Sequence, residues 1–320
     1  MNGLRLENRK TQSFKYAKNS AANVLSAIRQ FLYFTNYFGL QQIPASVDTI
    51  TCFLEFMART SGYGHIKHLY SSVKYLHIAL DHVFPENSFQ IDTTMQGLKR
   101  RLAKVPFQVL PITPNILRRM YQHININNPE DRALWCAYLC AFYGLLRKAN
   151  VVPESSKFDP RKILVRRNIS VDVPNNMVYL YIGFGKTNQF GGRDTIIPIP
   201  GNNDQALDPV SHLQSLLSTS GLSDESPAFS YGQSQFITYS KFTQKLKTLL
   251  TLSGLNPDLY SGHSFRRGGA SFLHSCGGSA LMVQSSGDWS SQCFTRYLHL
   301  SESERLEAQL LISQGISRTL

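Results

Sequence analysis

Residues 260–300 read YSGHSFRRGGASFLHSCGGSALMVQSSGDWSSQCFTRYLHL. Within them His263 and Arg266 are three positions apart, which puts both on one face of a helix, and Trp289 and Tyr297 follow downstream. The residue types are chemically coherent. A guanidinium presents a planar fork matched to two phosphate oxygens, imidazole and indole each offer a further N–H, and a phenol can attack phosphorus and hold it covalently. The chemistry they point to is transfer of a phosphoryl group to a tyrosine.

Outward from that stretch, the chain has 320 residues, 42% hydrophobic and 17% charged, enough for two domains with cores of their own. The formal net charge of +12 implies a partner that tolerates positive potential, nucleic acid being the commonest. No apolar run approaches the roughly 18 residues that a membrane span needs, and residues 1–18 are polar and basic, so neither secretion nor membrane insertion is expected. Five scattered cysteines (Cys52, Cys136, Cys140, Cys276, Cys293) fit reduced thiols in an intracellular compartment. Cys136 and Cys140 are spaced for one helix face, but the run ALWCAYLCAFYGLL around them carries no histidine, so core packing is expected there rather than zinc.

Residues 1–16 read as a mobile arm. Four helices are then expected: one closed by Gly39, one opened by Ser46 with Asp48 in its first turn, one from about Tyr63 to Phe84, and TTMQGLKRRLAKV before Pro106. Residues 1–105 hold 13 Lys or Arg against 6 Asp or Glu, a balance of +7, so the front of the chain carries more than half of the excess charge. Lys67 and Lys74 are seven apart on the third helix, and Lys99, Arg100, Arg101 and Lys104 crowd the end of the fourth. Two accounts of these cations stand side by side: a solvated face with helix-end charges suited to the dipole, and contacts to the phosphates of a duplex.

The Pro-rich VPFQVLPITP is the linker candidate, dividing a bundle over residues 17–108 from a second domain over 109–320. There, Thr113 and Pro114 open a helix, and Asp131 to Arg147 is an apolar helix expected at the centre, ending in the charged GLLRKAN. From Ile163 to Pro200 the period changes to two, giving three short strands in a meander with Lys186 in the Gly-rich second connection. Asp208 and Pro209 open another helix, Ser240 caps KFTQKLKTLLTLSG, and SESERLEAQLLISQGI closes the chain with a last helical pattern. No phosphate-binding P-loop, carboxylate cluster spaced for magnesium, zinc-finger pattern or repeat occurs in the sequence, which weighs against nucleotide-driven and two-metal nucleases; no cofactor or metal is expected.

HSFRRGGA, GDWSS and RYL together resemble the catalytic C-terminus of the tyrosine recombinases, the phage-integrase family, and most closely those of eukaryotic mobile elements of the Crypton and DIRS kind. Trp289 precedes Tyr297 by eight positions, one fewer than in typical bacterial and phage members. The resemblance implies a mainly α protein: an N-terminal SAM-like core-binding bundle that clamps DNA, then a mainly helical catalytic domain with a small three-stranded antiparallel sheet. It implies a site-specific recombinase or integrase that mobilises a transposable element through a 3′-phosphotyrosyl link, without metal or ATP, in the nucleus if the host is eukaryotic.

By the same resemblance Arg147, in its Gly-Leu-Leu-Arg context, is the first catalytic arginine, with Asn150 where many members carry glutamate. Lys186 is implied to protonate the leaving 5′ oxygen, with Lys148 and Arg193 as neighbouring cations; His263, Arg266 and Trp289 serve the phosphate and Tyr297 is the nucleophile. The partners implied are double-stranded DNA and further copies of the chain, from dimer to four-protomer synapse, joined through the last helix. The alternatives are a domesticated, catalytically silent DNA-binding protein of the same fold and a relaxase of the type IB topoisomerase kind.

Overall fold

The computed structural model describes residues 18–86, 88–103, 109–183, 195–219, 221–289 and 294–295. The chain divides into two compact units, Met1–Phe107 and Gln108–Leu320.

The first unit is helical: α1 (Lys18–Tyr37), α2 (Val47–Ala58), α3 (Tyr63–Ala79) and α4 (Phe89–Arg101). Its core takes one apolar stripe from each, with Phe31, Ile50, Phe53, Leu54, Ile66, Leu69, Val73 and Ile91 all fully buried. The stops and starts follow local chemistry. Gly39 takes φ +63° after α1, and Ser46 caps α2 by accepting from the Thr49 N–H at 3.1 Å.

Two boundaries differ from expectation. α3 stops at Ala79 instead of running to Phe84, because Ile78, Leu80 and Val83 meet no core while Phe84 must turn back to bury against Tyr70 and His77; Asp81, at φ +59°, makes that turn. α4 begins at Phe89, four residues before the expected TTMQ, because Ile91 belongs to the core. A tie invisible in the pattern is His77, fully buried on α3: it accepts from the Ala45 N–H at 2.9 Å and, through Nδ1, bonds the Val73 carbonyl at 2.8 Å. Both ring nitrogens are thereby committed, and the segment entering α2 is fixed to α3.

The second unit is built around α6 (Pro129–Tyr143), where every residue from Ala133 to Cys140 is buried. Before it lies α5 (Pro114–Tyr121), capped by Thr113, and after it the short α7 (Lys148–Val151). Strands β1 (Ile169–Asp172), β2 (Met177–Ile182) and β3 (Thr195–Pro200) form an antiparallel sheet in that order; the register Leu180↔Ile197 and Val178↔Ile199 sends Val178, Leu180 and Ile199 into the core. Then come α8 (Pro209–Leu217), a two-stranded β4–β5 (Ser230–Gly232, Gln235–Phe236), α9 (Tyr239–Leu252), α10 (His263–Ser275) and α11 (Ala280–Ser286). The cap of α9 is Thr238, which accepts from the Lys241 N–H at 3.4 Å, not Ser240; the Tyr239 N–H bonds Pro153 O at 2.8 Å, so the turn is already set when Ser240 is reached.

Cys136 and Cys140 pack inside α6, the Cys136 thiol donating to His212 O at 3.3 Å, and burial pushes both thiols well above their usual range. Among the described residues no helix is long and apolar enough to cross a membrane, and no group of three or more His, Cys, Asp or Glu is placed to hold a metal ion. The closing pattern SESERLEAQLLISQGI lies outside the described residues.

Candidate active site

The site begins where α6 ends. The apolar run predicts a helix continuing to Arg147, but α6 stops at Tyr143; Leu145 takes φ +47° and turns the chain so that Leu145 and Leu146 fold back into apolar surroundings. Arg147 is therefore the half-buried residue that precedes α7, in extended conformation, rather than the last turn of a long helix. Asn150 closes the turn with its N–H to Arg147 O at 2.7 Å, and its own carbonyl accepts from Leu164 N–H at 3.0 Å.

α10 delivers His263 and Arg266 from one face, as their spacing requires. The helix is almost wholly buried from Ser264 to Ala270, and the reason is in the sequence: a Cβ at Gly268 would fall 1.8 Å from Ile112 O and one at Gly269 would fall 2.2 Å from Phe142 O. The two glycines let α10 press against the 109–112 segment and the end of α6. Ile112 N–H donates to Ser264 O at 3.0 Å, Arg267 Nη1 donates to Val109 O at 2.7 Å, and Phe265 stacks on Tyr138 with ring centres 4.7 Å apart.

Arg266, 2% exposed, gathers three segments at once. Its Nη1 donates to Leu145 O, its Nη2 to Gly287 O at 2.7 Å, and its Cζ lies 3.9 Å from the centre of the Trp289 ring. Trp289 is held in turn by its own N–H to Gln284 O at 3.1 Å and by Gln284 Nε2, which donates to its carbonyl at 3.0 Å, while its ring packs with Leu145, Ala270, Val283 and Phe294.

His263 is half-buried at the N-terminus of α10, its backbone N–H on Ser261 Oγ at 3.1 Å. Burial, and then the charges of Arg266, Arg147, Arg267 and Lys148, depress its basicity below the ordinary 6.5. It is a neutral imidazole among guanidiniums, able to accept a proton at neutral pH.

Arg147, His263, Arg266 and Trp289 thus converge, while Lys186, Arg193 and Tyr297 lie outside the described residues. Sequence reading passes over the Leu145 and Gly287 carbonyls, Arg267 and the two glycines; only the doubled glycine of HSFRRGGA is a visible signal. In the first unit Lys67, Lys99, Arg100 and Arg101 are exposed, Lys74 pairs with Glu86, Arg101 pairs with Glu55 at 2.6 Å, and Lys104 lies outside the described residues.

No protein-family model matches the chain, and no curated protein is significantly similar to it in sequence. Solved structures do match. The Tn1549 transposon integrase in complex with transposon right end DNA is 14% identical over 96% of this chain and 98% of that one, with a TM-score of 0.64. A lambda integrase dimer bound to a COC′ core site is 15% identical over 92% and 94%, at 0.58. The XerH site-specific recombinase bound to difH substrate is 14% identical over 87% and 74%, at 0.55. Identities this low speak to architecture, and the architecture is specific: a mainly helical chain whose second unit, with its small three-stranded antiparallel sheet, has the catalytic-domain fold of the tyrosine recombinases and integrases.

Proposed function

We propose that this protein breaks and rejoins DNA at specific sites through a 3′-phosphotyrosyl intermediate, in the service of a mobile element of the Crypton or DIRS kind. The observation that carries this reading is that three separate segments meet at Arg266, which bonds Leu145 O and Gly287 O and stacks on Trp289, while the charges of Arg266 and Arg147 both act on the half-buried His263.

In that reading Arg147 and Arg266 bind the non-bridging oxygens of one DNA phosphate and neutralise the charge that grows as phosphorus becomes five-coordinate. The Tyr297 phenol, with an ordinary pKa of about 10, needs a proton acceptor, and His263, kept neutral by its neighbours, takes the proton as the Tyr297 oxygen bonds phosphorus. Trp289 fixes the plane of Arg266 and adds an indole N–H. The bond to the 5′ oxygen breaks, Lys186 supplies the proton that this oxygen requires, and the 3′ phosphate remains on Tyr297. A second strand's 5′ hydroxyl reverses these steps, so neither ATP nor a metal enters. Lys67, Lys74, Lys99, Arg100, Arg101 and Lys104 would hold the duplex backbone, and exchange of the C-terminal helix would join protomers.

The reading is tested with nicked suicide duplexes recovered from a random-sequence pool by binding to the wild-type protein. A covalent DNA adduct whose single modified peptide contains Tyr297 is expected by peptide mass spectrometry; tight binding with no adduct would favour a silent DNA-binding protein instead.

A further inference from the structure

Lys148 follows Arg147, opens α7 and is gripped from two sides. Its ammonium lies 3.4 Å from the centre of the Tyr239 ring, at the start of α9. Its methylenes cross Gly262, the residue before His263: a Cβ there would fall 2.3 Å from Lys148 Cδ and 3.1 Å from Cγ. Tyr239 is itself anchored by its N–H on Pro153 O at 2.8 Å. Lysine ordinarily gives up much side-chain freedom when it is ordered. Here the ordering is already done, so a phosphate bound by this ammonium meets a smaller entropic cost than one bound by a loose surface lysine.

The charge is also uncompensated. Lys241 and Lys245 on α9 pair with Glu130 and Asp131, whereas among the described residues Lys148 has no carboxylate partner. Lys148 follows Arg147 and its stem crosses Gly262, the residue before His263, while its ammonium rests on Tyr239 of α9, so the cation stands beside the cluster. An ordered, unpaired cation at the edge of a phosphate site suits the phosphate next along the strand.

We propose that Lys148 binds the DNA phosphate adjacent to the one that is broken, with Tyr239 as the positioning residue that holds its ammonium and Gly262 as the gap that admits its stem. This rests on the recombinase reading of the same site. Nothing in it asks Lys148 to donate a proton.

The test uses the full chain and the same pool-selected duplexes, with single phosphates around the break replaced one at a time by neutral methylphosphonate. Lys148→Met, which keeps an apolar stem over Gly262, should slow adduct formation roughly 10- to 100-fold, the effect of losing a charge-assisted hydrogen bond. That deficit should collapse when the methylphosphonate stands beside the broken bond and persist elsewhere. Tyr239→Leu should share both effects, whereas Tyr239→Phe, which keeps the ring, should stay near wild type. Independently of cleavage, Lys148→Met should lower the slope of log affinity against log salt by about 0.9. A Lys148→Met protein with wild-type rate and slope overturns the proposal, as does a deficit equal at every methylphosphonate position, the behaviour of a residue that merely joins α7 to α10. A wild-type protein that binds but forms no adduct sinks the recombinase reading alone, since the salt slope still decides whether Lys148 meets a phosphate.

Discussion

The Arg266 guanidinium lies 3.9 Å from the centre of the Trp289 ring while its Nη2 donates to Gly287 O at 2.7 Å, so one buried cation fixes the turn that presents the indole. Lysine at this position keeps the charge but supplies neither the fork nor the planar stack. Arg266→Lys should lower the unfolding free energy by about 1.5–3 kcal/mol and Trp289→Phe by about 0.5–2 kcal/mol, both read from urea midpoints. Adduct formation by Arg266→Lys should fall on the order of 10²- to 10³-fold. Near-normal cleavage by that variant would remove Arg266 from the phosphate site.

His263 gives the stability a pH dependence whose sign is fixed. Burial first, then the charges of Arg266 and Arg147, hold its folded pKa below the ordinary 6.5, so the unfolded chain binds a proton that the folded protein refuses. Stability from this source is complete above pH 6.5 and is lost as pH falls through the window below it. Urea unfolding between pH 5 and 8 should show the loss in wild type and a shallower one in His263→Gln. His212, depressed by burial in the same direction, contributes equally to both proteins and cancels in the difference. Identical pH profiles would mean that His263 is solvated and protonates freely.

The packing of α10 predicts opposite outcomes for two glycines. Gly268→Ala drives a methyl to 1.8 Å from a backbone oxygen that no rotamer can move, and should cost more than about 3 kcal/mol or prevent folding of the second unit. Gly97→Ala, inside α4 with nothing within 4 Å, should be neutral or stabilising by up to about 1 kcal/mol. Thermal midpoints of the two variants separate these effects, and equal midpoints would contradict the close approach of α10 to Ile112.

The helix-end cations of the first unit make a graded test of duplex binding. Lys99 and Arg100 are exposed at the end of α4, whereas Arg101 is engaged with Glu55. Replacing Lys99 and Arg100 by alanine should lower the slope of log affinity against log salt by about 0.9 for each phosphate that is no longer neutralised. An unchanged slope, measured by anisotropy at several salt concentrations, would return both to an ordinary solvated face.

Much of the architecture is legible in local chemistry. Ser46, Thr113 and Asp208 cap the helices that their residue types announce, and the period-two run with its Asn175-Asn176 turn gives the three-stranded meander. What escapes depends on partners distant in sequence. Nothing local says that Leu145, an ordinary helix former, adopts φ +47°; that follows from the carbonyl it turns toward Arg266, 121 residues later. The early stop of α3 is likewise set by Phe84 returning to His77, and the α9 cap by Pro153 meeting Tyr239. At the site, His263 and Arg266 are legible because helical spacing is local, while the approach of Arg147 to His263 is tertiary and is expected only from the family resemblance.

Covalent trapping of Tyr297→Phe beside wild type on one nicked suicide duplex bears most directly on the central claim. Removing the phenolic oxygen leaves the cluster of Arg147, His263, Arg266 and Trp289 intact, so the variant should bind the duplex with wild-type affinity and form no denaturation-resistant adduct. An adduct that persists in Tyr297→Phe would place the nucleophile on another residue and contradict the account.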